Sequence, residues 1–159
     1  MNATPDPTPA AAPKRPHAPL SVRHAETEEE LLACFAVMRQ LRPQLRSAEA
    51  LLDAVAVQQR QGYRLLALWR DDQPVALAGY RQLDNLIHGR FLYVDDLITC
   101  ESGRGQGFGE RLLRALRDLG REAGCEQLVL DTALSNSLAQ RFYFRSGLLA
   151  RGLHFSMEL

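Results

Sequence analysis

The sequence predicts an α/β domain built on a mixed sheet. Three observations lead there. Apolar runs of strand length alternate with amphipathic stretches of helical period, and two of those runs flank a turn-forming "DDQ", the mark of an antiparallel hairpin. A later apolar run passes through a glycine-rich turn into the most regular helical pattern of the chain, and another strand follows it.

Taken in order, residues 1 to 19 hold six of the eight prolines and little to bury, so a disordered tail is expected before a domain over residues 20–159. "SVRHAE" reads as a short first strand. "TEEELLACFAVMRQLR" opens with Thr27 and Glu30 in capping-box spacing, carries Leu31, Phe35, Met38 and Leu41 on one stripe, and must close before Pro43. A second helix starts near Ser47, runs through Leu51, Leu52 and Val55, and stops at Gly62. "YRLLALWR" and "PVALAGYRQ" form the hairpin, and "GRFLYVDDLIT" is a buried central strand interrupted by two aspartates. "FGERLLRALRDLGREAG" places Phe108, Leu112, Leu113, Leu116 and Leu119 on one helical face. "EQLVLDTAL" is a further strand, "SLAQRFYFRSG" a short helix ended by Gly147, and "LLARGLHFSMEL" a terminal strand. An exposed edge on that last strand would offer a surface for a homodimer.

Composition narrows the function. At 159 residues the chain has room for one domain with a core, and 46% hydrophobic with 24% charged residues is the balance of a soluble globular protein. Nineteen basic and nineteen acidic side chains cancel, which argues against a broad nucleic-acid-binding surface. Cys34, Cys100 and Cys125 are odd in number and widely spaced, so neither a disulfide framework nor a metal site is expected, and a cytoplasmic setting fits. No apolar run is long enough for a membrane span or a signal peptide.

The segment "ESGRGQGFGERLL" poses the chemical question, because glycine stands at every second position from Gly103 to Gly109. A strand, a glycine-rich turn and a helix N-terminus make an anion site, since the first helical amides lack internal partners and the helix dipole favours negative charge. Arg104 adds a charged fork. A nucleotide P-loop would need Lys and then Ser or Thr after the last glycine, but Glu110 and Arg111 follow Gly109. A dinucleotide fingerprint fails as well, since Glu110 or Phe108 falls at its third glycine.

The spacing Arg104, Gly107, Gly109 resembles the Arg-x-x-Gly-x-Gly pyrophosphate loop of the Gcn5-related N-acetyltransferase (GNAT) family. "LYVDDLIT" before it, "LVLDTALSN" after it, and "AQRFYFRSGL", similar to the family's Ala-x-x-Phe-Tyr-x-x-x-Gly-Phe signature with Leu148 in the final place, extend the resemblance over roughly residues 21 to 159. It implies an acyl-CoA N-acyltransferase fold, a V-shaped mixed sheet flanked by helices and splayed to hold acetyl-CoA, with direct acetyl transfer to an amine and no metal. By this resemblance the cofactor lies along Leu97, Ile98 and Thr99, against the loop of Arg104, Gly105, Gln106, Gly107, Phe108 and Gly109, and near Asn136 and Tyr143. A backbone amide at Leu97 or Ile98 would polarise the thioester carbonyl.

Tyr143 holds the signature tyrosine position and is the expected acid for the departing thiolate. Asp95 and Asp96 resemble the acidic pair of polyamine acetyltransferases, with Asp95 the expected base and Asp96 the expected acceptor ligand. Strand neighbours face opposite sides, so both reach one cleft only if the strand is bulged. Two carboxylates favour a cationic acceptor, whether a small amine or a peptide amine. A non-catalytic acyl-CoA sensor of the same fold is the competing reading. His154, His88 and Cys100 read as structural or incidental, and Arg114, Arg117 and Arg121 as a solvated helix face.

Overall fold

A computed structural model describes residues 19–159, so the expected tail, apart from Pro19, lies outside the described residues. Strand β1 (Leu20–His24) precedes helices α1 (Glu28–Leu41) and α2 (Ala48–Gln59), then strands β2 (Arg64–Arg70), β3 (Gln73–Asn85) and β4 (Gly89–Thr99). A 3-10 turn at Glu101–Gly103 leads to α3 (Phe108–Glu122), β5 (Gln127–Leu130) and α4 (Ser137–Arg145). The capping box forms as the sequence predicts: the Thr27 hydroxyl accepts from the Glu30 amide and the Glu30 carboxylate accepts from the Thr27 amide, each at 3.2 Å. Ser47 caps α2 in the same way, accepting from the Ala50 amide.

The strands lie in the order β1-β2-β3-β4-β5, antiparallel except for the parallel pair β4–β5, so the sheet is mixed. Helices α1 and α2 cover one face, packing Met38, Leu51 and Val55 against Leu65, Trp69 and Leu77. Helix α3 covers the other, packing Leu112, Leu113 and Leu116 against Leu68, Ala78 and Leu92. Burying each such leucine contributes ~1.5–3 kcal/mol, which is why the helical stripe, not intrinsic propensity, holds α3 on the sheet.

Two expectations are corrected. The strand read from "EQLVLDTAL" is confined to Gln127–Leu130, because β5 has hydrogen-bonded partners only from Phe91 to Val94 of β4. The terminal strand does not form: residues 148–159 belong to no helix or strand, and Leu153, Phe155, Met157 and Leu159 are largely exposed. Their alternation is that of a strand, but a strand is stabilised by its cross-strand partners, and this segment forms no ladder with β5; Leu148 packs with the core and His154 Nδ1 bonds Asp131 Oδ2, just after β5, at 3.2 Å. The open edge of the sheet on this side is therefore that of β5 itself.

Candidate active site

The site begins where β4 and β5 part. Their ladder ends at Val94 and Leu130, while β4 continues to Thr99, so its backbone from Asp95 to Thr99 has no strand beside it on the β5 side. That stretch includes Leu97, Ile98 and Thr99, the residues expected along the cofactor. At the same point β4 is bulged. Gly79 pairs with Asp96 and Tyr80 with Val94, which leaves Asp95 as an extra residue without a partner on β3.

The bulge changes which side chains share a face. Leu92, Val94 and, beyond the bulge, Leu97 all pack on the α3 side, whereas Asp95 and Asp96 both bond to partners on the α1/α2 side. Both carboxylates thus come to one face, the condition the sequence set. Asp95 accepts from Arg81 Nε at 3.0 Å and from Arg81 Nη2, a two-toothed pairing whose hydrogen bond raises the Arg81 pKa above its ordinary value. Asp96 Oδ1 accepts from Arg42 Nε at 2.8 Å and Asp96 Oδ2 from the Tyr63 hydroxyl at 2.9 Å. Arg42 Nη2 also donates to the Asp95 carbonyl at 2.9 Å.

Asp96, the expected acceptor ligand, lies within this network. It is 8% exposed and both of its oxygens have protein partners, so it braces the bulge from within. Tyr63 belongs to the same brace. Burial and the adjacent Asp96 push its phenol pKa upward, so it stays a donor. Gly79 makes the arrangement possible, since a Cβ there would lie 2.0 Å from the Tyr63 hydroxyl oxygen and 2.6 Å from Asp96 Oδ2. None of Arg42, Tyr63 and Arg81 was marked by the sequence. Gly79 had a signal: a glycine inside a strand marks a bulge or a close approach.

At the other end of β4, the loop from Arg104 to Gly109 turns into α3. Gly105 and Gly107 both have φ of 76°, a left-handed conformation natural to glycine, and no atom lies within 4 Å of where their Cβ would be. The first bond of the α3 ladder runs from the Arg111 amide to the Gly107 carbonyl. The amides of Phe108, Gly109 and Glu110 therefore precede the ladder, at the positive end of the helix dipole. Arg104 and Gln106 are exposed, while Phe108 is buried beneath the loop. Arg70, at the end of β2, bonds Gln106 at 3.2 Å and stands over the Phe108 ring. An unladdered strand edge next to an open, positively polarised loop fits acetyl-CoA: the first matches an amide-bearing arm and the second a pyrophosphate.

Tyr143 lies on α4, partly buried with Phe142 against the α3-side core, and burial raises its phenol pKa, so it is protonated at neutral pH. Gly109 lets Phe142 approach, since a Cβ there would be 3.2 Å from its ring. Asn136 caps α4, its side-chain oxygen accepting from the Ala139 amide at 3.1 Å. Arg42, Tyr93, Asp95 and Tyr143 line one broad, open cleft that also runs along α3, β5 and the chain after α4, whereas Leu97–Thr99, the loop Arg104–Gly109 and Asn136 lie outside its lining. Tyr93 donates to Asp131, and its pKa is pushed up to about 12 by burial and that hydrogen bond. His154 shares Asp131, and His88 bonds Gln127 at 3.1 Å. Among the described residues no cluster of His, Cys, Asp and Glu is arranged for a metal ion, all three cysteines are free, and no helix is long and apolar enough to cross a membrane.

Comparison with known proteins agrees with this geometry. The chain is 29% identical over 124 residues to the uncharacterized N-acetyltransferase YhdJ of Bacillus subtilis, covering 78% of this chain and 87% of that protein. A probable glucosamine 6-phosphate N-acetyltransferase 2 of Oryza sativa subsp. japonica is 28% identical over 69 residues, 43% of this chain and 40% of the relative. Among solved structures, the aminoglycoside N-acetyltransferase AAC(6')-Iy in complex with CoA superimposes with a TM-score of 0.77 at 17% identity, over 93% of this chain and 99% of that one. Residues 20–148 match the model of the acetyltransferase (GNAT) family. With fold, loop and splayed strand in agreement, the chain belongs to the GNAT family of acetyl-CoA-dependent N-acetyltransferases.

Proposed function

We propose that residues 20–159 act as one unit that transfers the acetyl group of acetyl-CoA directly to the primary amine of a small molecule or peptide. The observation that carries this reading is that Asp95, on the bulge, and Tyr143, on α4, both line the cleft that opens where β4 and β5 part.

Acetyl-CoA supplies an activated thioester, so the protein has three tasks: hold it, keep the amine neutral and give the leaving sulfur a proton. The amides at the start of α3, the glycines of the loop and Arg104 would bind its pyrophosphate, with Gln106 and Phe108 shaping the loop. The backbone of Leu97, Ile98 and Thr99 would take the pantetheine arm, and the amide of Leu97 or Ile98 would polarise the carbonyl. Asn136, already used as a cap, would contribute from the start of α4. Tyr143 would donate its proton to sulfur. Asp95 would accept the amine proton through water, because its oxygens already serve Arg81. Asp96 holds the bulge in place.

The test is acetyl-CoA consumption with free thiol release against amino sugars, aminoglycosides, polyamines, amino acids and lysine-containing peptides, with CoA binding measured by calorimetry. Turnover on one amine class supports the reading. CoA binding without turnover on any amine would leave a sensor, and no CoA binding would overturn the assignment of the loop.

A further inference from the structure

Arg42 is the most exposed of the four charged side chains at the bulge. From the sequence, two carboxylates predicted a cationic acceptor, but each carboxylate is matched by a guanidinium, Asp95 by Arg81 and Asp96 by Arg42, so the four groups carry no net charge. Their exposure is unequal. The side chains of Asp96 and Asp95 are 9% and 13% exposed, whereas that of Arg42 is 41% exposed. What this wall presents to a ligand is therefore donors.

The geometry of Arg42 makes those donors usable. The residue follows α1 directly, and its amide closes the helix on the Met38 carbonyl, which fixes where the side chain starts. Its Nε is held by Asp96 and one Nη2 hydrogen by the Asp95 carbonyl. A guanidinium carries five N–H groups in a plane. Among the described residues Nη1 donates to no protein atom, so the outer edge, with one hydrogen of Nη2 and one of Nη1, remains as a free fork. That fork matches a carboxylate or a phosphate in two-toothed fashion. It lines the same cleft as Asp95 and Tyr143 and is bonded to the backbone of the bulge itself.

We infer that Arg42 recognises an anionic group on the acceptor, so that the substrate is a primary amine carrying a carboxylate or phosphate rather than a polycation. The inference rests on the proposed acetyl transfer and adds the acceptor class to it. The inner edge of the guanidinium, anchored by Asp96 and Asp95, orients the outer one, which keeps the bound anion in a fixed relation to the bulge and hence the amine in reach of Asp95.

The experiment uses matched acceptors that differ by one anionic group: glucosamine against glucosamine 6-phosphate, and cadaverine against lysine. Thiol release gives kcat/KM for each, and calorimetric titration of each compound into the protein with CoA gives affinity independently of turnover. The full chain should prefer the anionic member of at least one pair by roughly 10-fold or more, the size of one charge-assisted interaction. Arg42→Gln should abolish the preference, and Arg42→Lys, which keeps the charge but not the fork, should retain part of it. Unchanged CoA affinity in both variants would show that the folded site persists. Equal use and equal binding of both members of each pair, or a preference that survives in Arg42→Gln, overturns the inference and leaves acetyl transfer standing. Failure of CoA to bind would instead count against acetyl transfer, and titration of the pairs alone would still decide the role of Arg42.

Discussion

Tyr143 and Gly79 yield predictions at the scale of one residue, the first on the proposed chemistry and the second on packing. Burial keeps the Tyr143 phenol protonated, and no partner competes for its proton among the described residues. Tyr143→Phe should therefore lower kcat by roughly 100-fold, the lower range for a general acid, while CoA affinity measured by calorimetry stays within about twofold. Full turnover in that variant, with chemistry rate-limiting, would remove the acid role. Gly79→Ala places a methyl group against Tyr63 and Asp96. It should cost about 2–3 kcal/mol in urea denaturation, and combined with Tyr63→Phe the loss should be smaller than the sum, because the two changes strike the same contact. Additive losses would mean that the steric conflict lies elsewhere. The helix that carries Tyr143 was legible from "AQRFYFRSGL", but the bonds of Arg42, Tyr63 and Arg81 were not. Their partners lie far along the chain, Arg42 to Asp96 spanning 54 positions, and ordinary arginines carry no local mark of such a bond.

At the scale of elements, period and punctuation were sufficient where an element is stabilised by its own pattern. The capping box of Thr27 and Glu30, the start of α2 near Ser47, Pro43 as a stop and the leucine face of α3 all stand where the sequence placed them. The bulge in β4 was anticipated only as a condition. The terminal strand failed because alternation states what a strand would bury but not whether an edge is there to receive it. The loop before α3 yields a prediction at this scale. Gly107 sits at the helix N-cap with φ of 76°, so Gly107→Val forces a β-branched residue into a left-handed conformation even though space is open around it. CoA binding should weaken at least 10-fold as the amides lose their alignment, an effect that calorimetry reads directly. A variant that binds CoA normally would dissociate the loop from the cofactor site.

For the molecule as a whole, a half-buried histidine links stability to pH. His24, on β1, bonds the Tyr80 hydroxyl at 3.0 Å, and its pKa is lowered chiefly by burial and further by Arg64. The folded state thus binds this proton less readily than the unfolded chain, so its contribution is full above about pH 6.5 and is lost as pH falls below that value. The urea midpoint should decline from pH 7.5 to pH 5, and more gently in His24→Gln. Equal slopes in the two proteins would exclude His24 as the cause. Packing and chemistry, meanwhile, are divided within β4 with unusual economy. Because Asp95 is the extra residue of the bulge, a chain one codon shorter at that place would form a regular strand in which Val94 and Leu97 keep the α3 side and Asp96 and Ile98 the α1 side. The alternation that packs the strand would be kept in such a deletion, while Arg81 would lose its Asp95 partner and the cleft the residue proposed to take the amine proton. On this scaffold one inserted residue is enough to turn two neighbouring carboxylates to the same side of a strand without changing which side its apolar residues pack on.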